Sequence, residues 1–209
     1  RDIALLERVS VSSGDHVTVL DISLAKNQSA LQRVLAQGAS VEYFDHHEPG
    51  DLPEHPALTA TISEAPEVCT ALLVNGHLRG ARVEWAIVGA FGDNLDEPAR
   101  RLATKVGLPE SEITFLRHLG HCINYNGYGV ELEDLHFHPD ALYAELYRAE
   151  TPAAFRHSQS YATLSDGYAA DLAASAALEP VEEGAGYALY QLPNAAWARR
   201  VSGVFSNEL

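Results

Sequence analysis

The sequence predicts an α/β protein: a parallel sheet with flanking helices, followed by a mainly helical region. Three observations predict it. Val17–Ile22 is a short, β-branched and continuous apolar run, the signature of a strand buried on both faces. Ser40–Phe44 (SVEYF) reads as a second strand, and between the two lie Leu31, Val34 and Leu35 at helical spacing. The composition supports a packed core, since 46% of the 209 residues are hydrophobic and 21% charged.

The elements follow in order. The first strand has Asp21 at its carboxyl end. The helix is expected over residues 27–38, with Asn27 as N-cap and Gly38 as C-cap. Asp45-His46-His47 comes directly after the second strand. Strand, helix and strand make a βαβ unit, whose crossover is almost always right-handed. The two strands then end side by side at the sheet edge where open α/β sheets bind ligands. Residues 48–58 form a loop broken by Pro49, Gly50, Pro53 and Pro56, and Thr59–Ser63 reads as a short strand. Helices are expected over Glu67–Leu78 and Ala81–Gly92. The second is apolar enough to be buried and ends in the polar break Gly92-Asp93-Asn94. Pro98–Val106 and Pro109–Leu119 read as helices, and residues 124–129 (NYNGYG) as a turn cluster. Beyond it come helices at Leu142–Arg148 and Tyr161–Leu178, a loop at Glu182–Gly186, a strand at Tyr187–Leu192 and a last helix at Ala195–Phe205. This organisation suggests an α/β core over residues 1–125, and over 126–209 a helical extension or the start of a second subdomain.

Composition narrows the function classes. With 14 Lys+Arg against 29 Asp+Glu, the formal net charge is −15. Such a surface repels phosphate backbones, which argues against long duplex nucleic acid as a partner. A small anionic substrate stays open if bound cations reverse the local sign. Cys69 and Cys122 share no metal-type spacing and read as two buried thiols of a cytoplasmic protein. No run approaches the roughly 20 apolar residues of a membrane span, and no signal-peptide pattern opens the sequence. The chain starts at Arg1 and contains no Met, so residues are expected upstream. A homodimer is compatible with the sequence.

The chemistry is expected at Asp21, Asp45-His46-His47 and Asp93. Imidazole and carboxylate together suit Mn²⁺, Fe²⁺, Co²⁺ or Zn²⁺ better than Ca²⁺. Neighbouring residues at a strand end point in different directions, so one histidine can ligate an ion while the other faces a substrate. Plainer readings stand beside these. Asp21 could cap the following helix, Asp93 could be a solvated turn residue, and the histidines could belong to an ordinary loop.

FDHHEPG, preceded by VTVLDIS and followed by AFGDN, resembles the DHH phosphoesterase superfamily over about residues 15–100. That superfamily includes single-strand exonucleases, phosphodiesterases of short oligoribonucleotides and cyclic dinucleotides, and manganese-dependent pyrophosphatases. The resemblance implies two divalent cations, most often Mn²⁺. It implies that Asp21 bridges them, that His46 and Asp93 ligate on one side, that Asp45 supports the site and that His47 faces the substrate phosphate. The expected function is hydrolysis of a phosphodiester or phosphate bond in a small nucleotide or short oligonucleotide. The two cations would activate a water for in-line attack, and with His47 would stabilise the developing charge. Two family features are missing. No Asp-x-Asp pair lies before Asp21, and no Gly-rich GGGH-type motif lies near residue 209. The first absence puts the ligands of one cation in doubt. Either the family-type ends lie outside this chain or it is a degenerate member, and a non-catalytic ligand-binding or regulatory protein on the same fold is the alternative. An acyl-coenzyme A transferase is a third class, but no Gly-rich nucleotide loop supports it.

Other residues carry weaker signals. His118 and His121 are three apart on a helix, which allows metal binding but favours packing. Tyr125 and Tyr128 could stack on a base, though such tyrosines more often pack a loop. His136 and His138 alternate and are given no role.

Overall fold

The computed structural model describes residues 4–208, with side chains described through residue 206. The chain is α/β and mostly helical, and it divides into two compact units, residues 1–108 and 109–209.

The first unit is built on three parallel strands in the order β1-β2-β3: His16–Leu20, Ser40–Asp45 and Leu58–Ile62. Helix α1 (Leu24–Ala36) joins β1 to β2. Its buried stripe of Leu24, Leu31, Val34 and Leu35 packs with Val19, Val41 and Tyr43 of the sheet. The Tyr43 hydroxyl donates to the Ile22 carbonyl at 2.6 Å, and burial, followed by the charge of Asp45, pushes its ionisation well above the usual phenol range. Residues 46–57 carry the chain from β2 to β3 without a helix. That is about the dozen residues a parallel crossover needs.

Asn27 is not the N-cap. Ser23 holds that position, and Asn27 lies buried inside α1. Its amide donates to the Ser23 carbonyl (2.9 Å) and its oxygen accepts from the Leu6 N–H (3.3 Å), tying the short 3-10 turn Leu5–Arg8 to the helix. A polar residue committed to these two backbone partners cannot also cap.

Three helices complete the unit: α2 (Thr70–His77), α3 (Val83–Gly92) and α4 (Asp96–Lys105). α3 is apolar nearly all round, and Ala86, Ile87, Val88, Ala90 and Phe91 are buried. α2 and α3 approach each other closely at Gly89, where an added Cβ would stand 2.6 Å from the Ala71 Cβ.

The second unit holds α5 (Glu110–Tyr125), α6 (Pro139–Ala149), the short α7 (Pro152–Phe155), α8 (Gln159–Ala176), a hairpin of β4 (Glu182–Gly184) and β5 (Tyr187–Leu189), and α9 (Ala196–Glu208). Its centre is polar. The Tyr125 hydroxyl donates to Asp171 and accepts from Arg200 Nε (2.8 Å) and His136 Nε2 (3.0 Å), and Arg200 Nε also donates to Asp171 at 2.8 Å. His136 reaches Tyr125 because α8 carries Gly167 beside it; a Cβ there would fall 2.4 Å from His136 Nε2.

Two expectations are corrected in this unit. Helix α5 runs on through Tyr125, where a turn was expected. The buried hydroxyl bonds of Tyr125 hold that last turn helical. Residues 182–184, expected as loop, pair with β5; Glu-Glu-Gly has no β-branched residue to signal a strand. Among the described residues, no helix is long and apolar enough to cross a membrane.

Candidate metal centre

Parallel pairing sets the site. Leu20 is in register with Phe44, and the Asp21 N–H still donates to the Phe44 carbonyl at 3.0 Å. Asp21 and Asp45 therefore follow side by side at the carboxyl edge. Asp21 then leaves the strand with φ +59°, a left-handed conformation that Asp tolerates better than most residues. Its carboxylate does not cap α1. Oδ1 instead accepts the Thr70 hydroxyl of α2 at 2.8 Å.

His46 stands at the centre. Nε2 lies 3.4 Å from Asp21 Oδ1 and 3.8 Å from Asp93 Oδ2. Nδ1 is 3.2 Å from the Val68 carbonyl, which can only accept, so Nδ1 carries the proton. In the neutral ring the Nε2 lone pair then faces the two carboxylates. Two ligand atoms of one cation, each about 2.1 Å from it, stand roughly 3.0–3.4 Å apart. The His46–Asp21 distance falls at the top of this span, and the Asp93 oxygen lies a few tenths of an ångström beyond it.

Asp45 is fully buried. Its Oδ1 accepts the His46 N–H (2.9 Å) and His47 Nδ1–H (2.7 Å), which turns His47 Nε2 away from Asp45. Its Oδ2 is buried with no hydrogen-bond partner. The His46 and His47 rings meet at 61° with centroids 4.7 Å apart. One ligand atom each from Asp21, His46 and His47 lie within 4.8 Å of one another. Asp93, just past the end of α3, joins through His46.

Burial raises the Asp93 carboxyl above the usual carboxylate range; His46 opposes the rise, the Asp21 charge adds to it, and His47 opposes it again. A cation between these groups would remove the repulsion. Cys69, at the N-cap of α2, is 3% exposed, and burial raises its thiol, with Asp93 and Asp21 adding to the rise. Asp21, His46 and His47, with Asp93 outside that grouping but 3.8 Å from His46, offer the mixed imidazole and carboxylate donors that suit a divalent transition cation.

Sequence reasoning singled out Asp21, Asp45, His46, His47 and Asp93. It did not single out Thr70 or the Val68 carbonyl. A hydroxyl in the first turn of a helix and a backbone carbonyl before it carry no motif.

The other marked residues pack. His118 Nε2 is 2.9 Å from Ser165 Oγ on α8 and 3.5 Å from Cys122 Sγ. Tyr125 is 1% exposed, which rules out base stacking by its ring. The ring of Tyr128 lies against α9 at Gly203. His136 bonds Tyr125, and His138 pairs with Asp140.

No family model, no curated protein and no solved structure matches this chain.

Proposed function

We propose that residues 1–108 form the metal-binding core of a divalent-metal-dependent phosphoesterase acting on a small nucleotide or short oligonucleotide. One observation carries the reading. His46 Nε2 faces two carboxylates, Asp21 at 3.4 Å and Asp93 at 3.8 Å, at the carboxyl edge of a parallel sheet. In this reading Asp21, His46 and Asp93 hold cations of the Mn²⁺ kind. A bound divalent cation supplies Lewis-acid polarisation of a phosphoryl oxygen and a lowered pKa for water.

The chain's own residues do the rest. The Val68 carbonyl holds the proton on His46 Nδ1 and keeps Nε2 a ligand. Asp45 holds the proton on His47 Nδ1 and points Nε2 outward; as an imidazolium, His47 would donate its Nε2–H to a non-bridging phosphate oxygen. The acidic surface favours a small substrate over a polymer.

The test is Mn²⁺-dependent hydrolysis of bis(p-nitrophenyl) phosphate and of a dinucleotide. Turnover lost in His46→Ala supports the enzyme. One second reading is a non-catalytic ligand-binding protein on the same fold. Tight Mn²⁺-dependent dinucleotide binding with no turnover would select it.

A further inference from the structure

The segment that opens α2 touches both central ligands. The carbonyl of Val68 accepts from His46 Nδ1, and two residues later the Thr70 hydroxyl donates to Asp21 Oδ1 at 2.8 Å. Thr70 is 4% exposed and is the first residue of the helix. Asp21 has little else to fix it. Its side chain is 60% exposed, its backbone sits in the left-handed region, and its own strand has ended. A short carboxylate on such a turn samples several rotamers unless something holds it.

We propose that Thr70 is the positioning residue for Asp21. Its hydroxyl holds the carboxylate with Oδ1 toward His46 before any cation arrives. The inference rests on the metal-site reading and concerns how that site is organised. Thr70 touches neither the cation nor the substrate in this scheme and acts only through Asp21.

Packing explains why a threonine serves here. It is buried at the start of α2 with its hydroxyl on the carboxylate. Replacement by Val keeps the volume and removes only the donor. Water can take over the lost hydrogen bond, because Asp21 is mostly exposed. The fold should therefore tolerate the change, while the carboxylate loses its orientation. Removing a group that orients a metal ligand typically costs about 10–100-fold in metal affinity.

The experiment titrates the metal-free protein with Mn²⁺ and reads free Mn²⁺ by electron paramagnetic resonance, with thermal melting of each metal-free variant alongside. Thr70→Val is expected to melt like the wild type and to bind Mn²⁺ about 10–100-fold more weakly. Thr70→Ser, which keeps the donor, is expected to bind like the wild type. Thr70→Val binding with wild-type affinity, while His46→Ala loses binding, overturns the positioning role and leaves the metal site standing. Wild-type protein that takes up no Mn²⁺ overturns both. If the Val variant does not fold, Thr70→Ser decides: a folded Ser variant binding as poorly as His46→Ala refutes the role of the hydroxyl.

Discussion

Adding Mn²⁺ should raise the melting temperature of the first unit and leave that of the second unchanged. A ligand that binds only the folded state stabilises it by about 2.7 kcal/mol at one hundred times its dissociation constant. The first unit spans residues 1–108. At roughly 2.1 cal/mol/K per residue, its unfolding entropy is about 0.23 kcal/mol/K, so the expected rise is about 12 °C. Were the 209 residues to melt as one, the same free energy would give about 6 °C. His46→Ala removes the nitrogen that faces both carboxylates. A hundredfold loss of affinity would leave stabilisation of about 0.4 kcal/mol at the same Mn²⁺ concentration, or about 2 °C in the first unit. Scanning calorimetry with and without Mn²⁺ measures all of this. An unshifted first transition would refute the reasoning, as would an equal shift in His46→Ala.

Three further outcomes follow from the packing. Arg199 grips Asp134 with both Nε (2.8 Å) and Nη2 (2.6 Å) and holds its carboxyl well below the usual carboxylate range. A lowered folded pKa gives stability that is complete above the usual carboxylate value and is lost as pH falls toward the lowered one. Acid unfolding of the second unit should therefore begin at higher pH in Arg199→Ala, with the two stability curves converging in strong acid. Arg200→Ala strands Asp171, 6% exposed, with no cation beside it, and is expected to cost about 3–5 kcal/mol in urea unfolding. Burial pushes the Cys122 thiol up to about 12 and raises Cys69 as well. Both thiols should resist Ellman's reagent at neutral pH until the chain is unfolded.

Much of the first unit was legible because its signals are local. The β-branched run before Asp21 does form a strand, but not one covered on both faces: β1 lies at the sheet edge, with Val19 buried and Leu20 48% exposed, because no further strand pairs with its outer side among the described residues. The spacing of Leu31, Val34 and Leu35 then makes the intervening segment a helix with one buried stripe, and all three are buried in α1. From a parallel βαβ unit it follows that residues just after the two strands stand next to each other. The start of α1 was misread because Asn is a good N-cap in general. Here Ser23 was closer to the strand, and Asn27 had a tertiary partner, the Leu6 N–H, twenty-one positions away. A single sequence gives no warning of such a bond.

The second unit was harder for the same physical reason. NYNGYG has the composition of a turn, and tertiary burial of Tyr125 overrides it. That burial depends on Asp171, Arg200 and His136, which meet only once the helices have packed. The candidate metal centre divides along the same line. Carboxylates and histidines at strand ends can be picked out by residue type, because few other side chains hold a cation. The groups that aim them cannot. Val68 contributes only a carbonyl, which every residue has, and Thr70 contributes a hydroxyl that reads as ordinary helix surface until α2 is laid against β2 and meets Asp21. Gly89 is less visible still, since its contribution is a missing Cβ. The close approach of α2 and α3 there is made at Ala71, next to Thr70, and α3 ends at Gly92, one residue before Asp93. The identity of the candidate ligands is thus written in side-chain chemistry, and their orientation in the packing of α2 and α3.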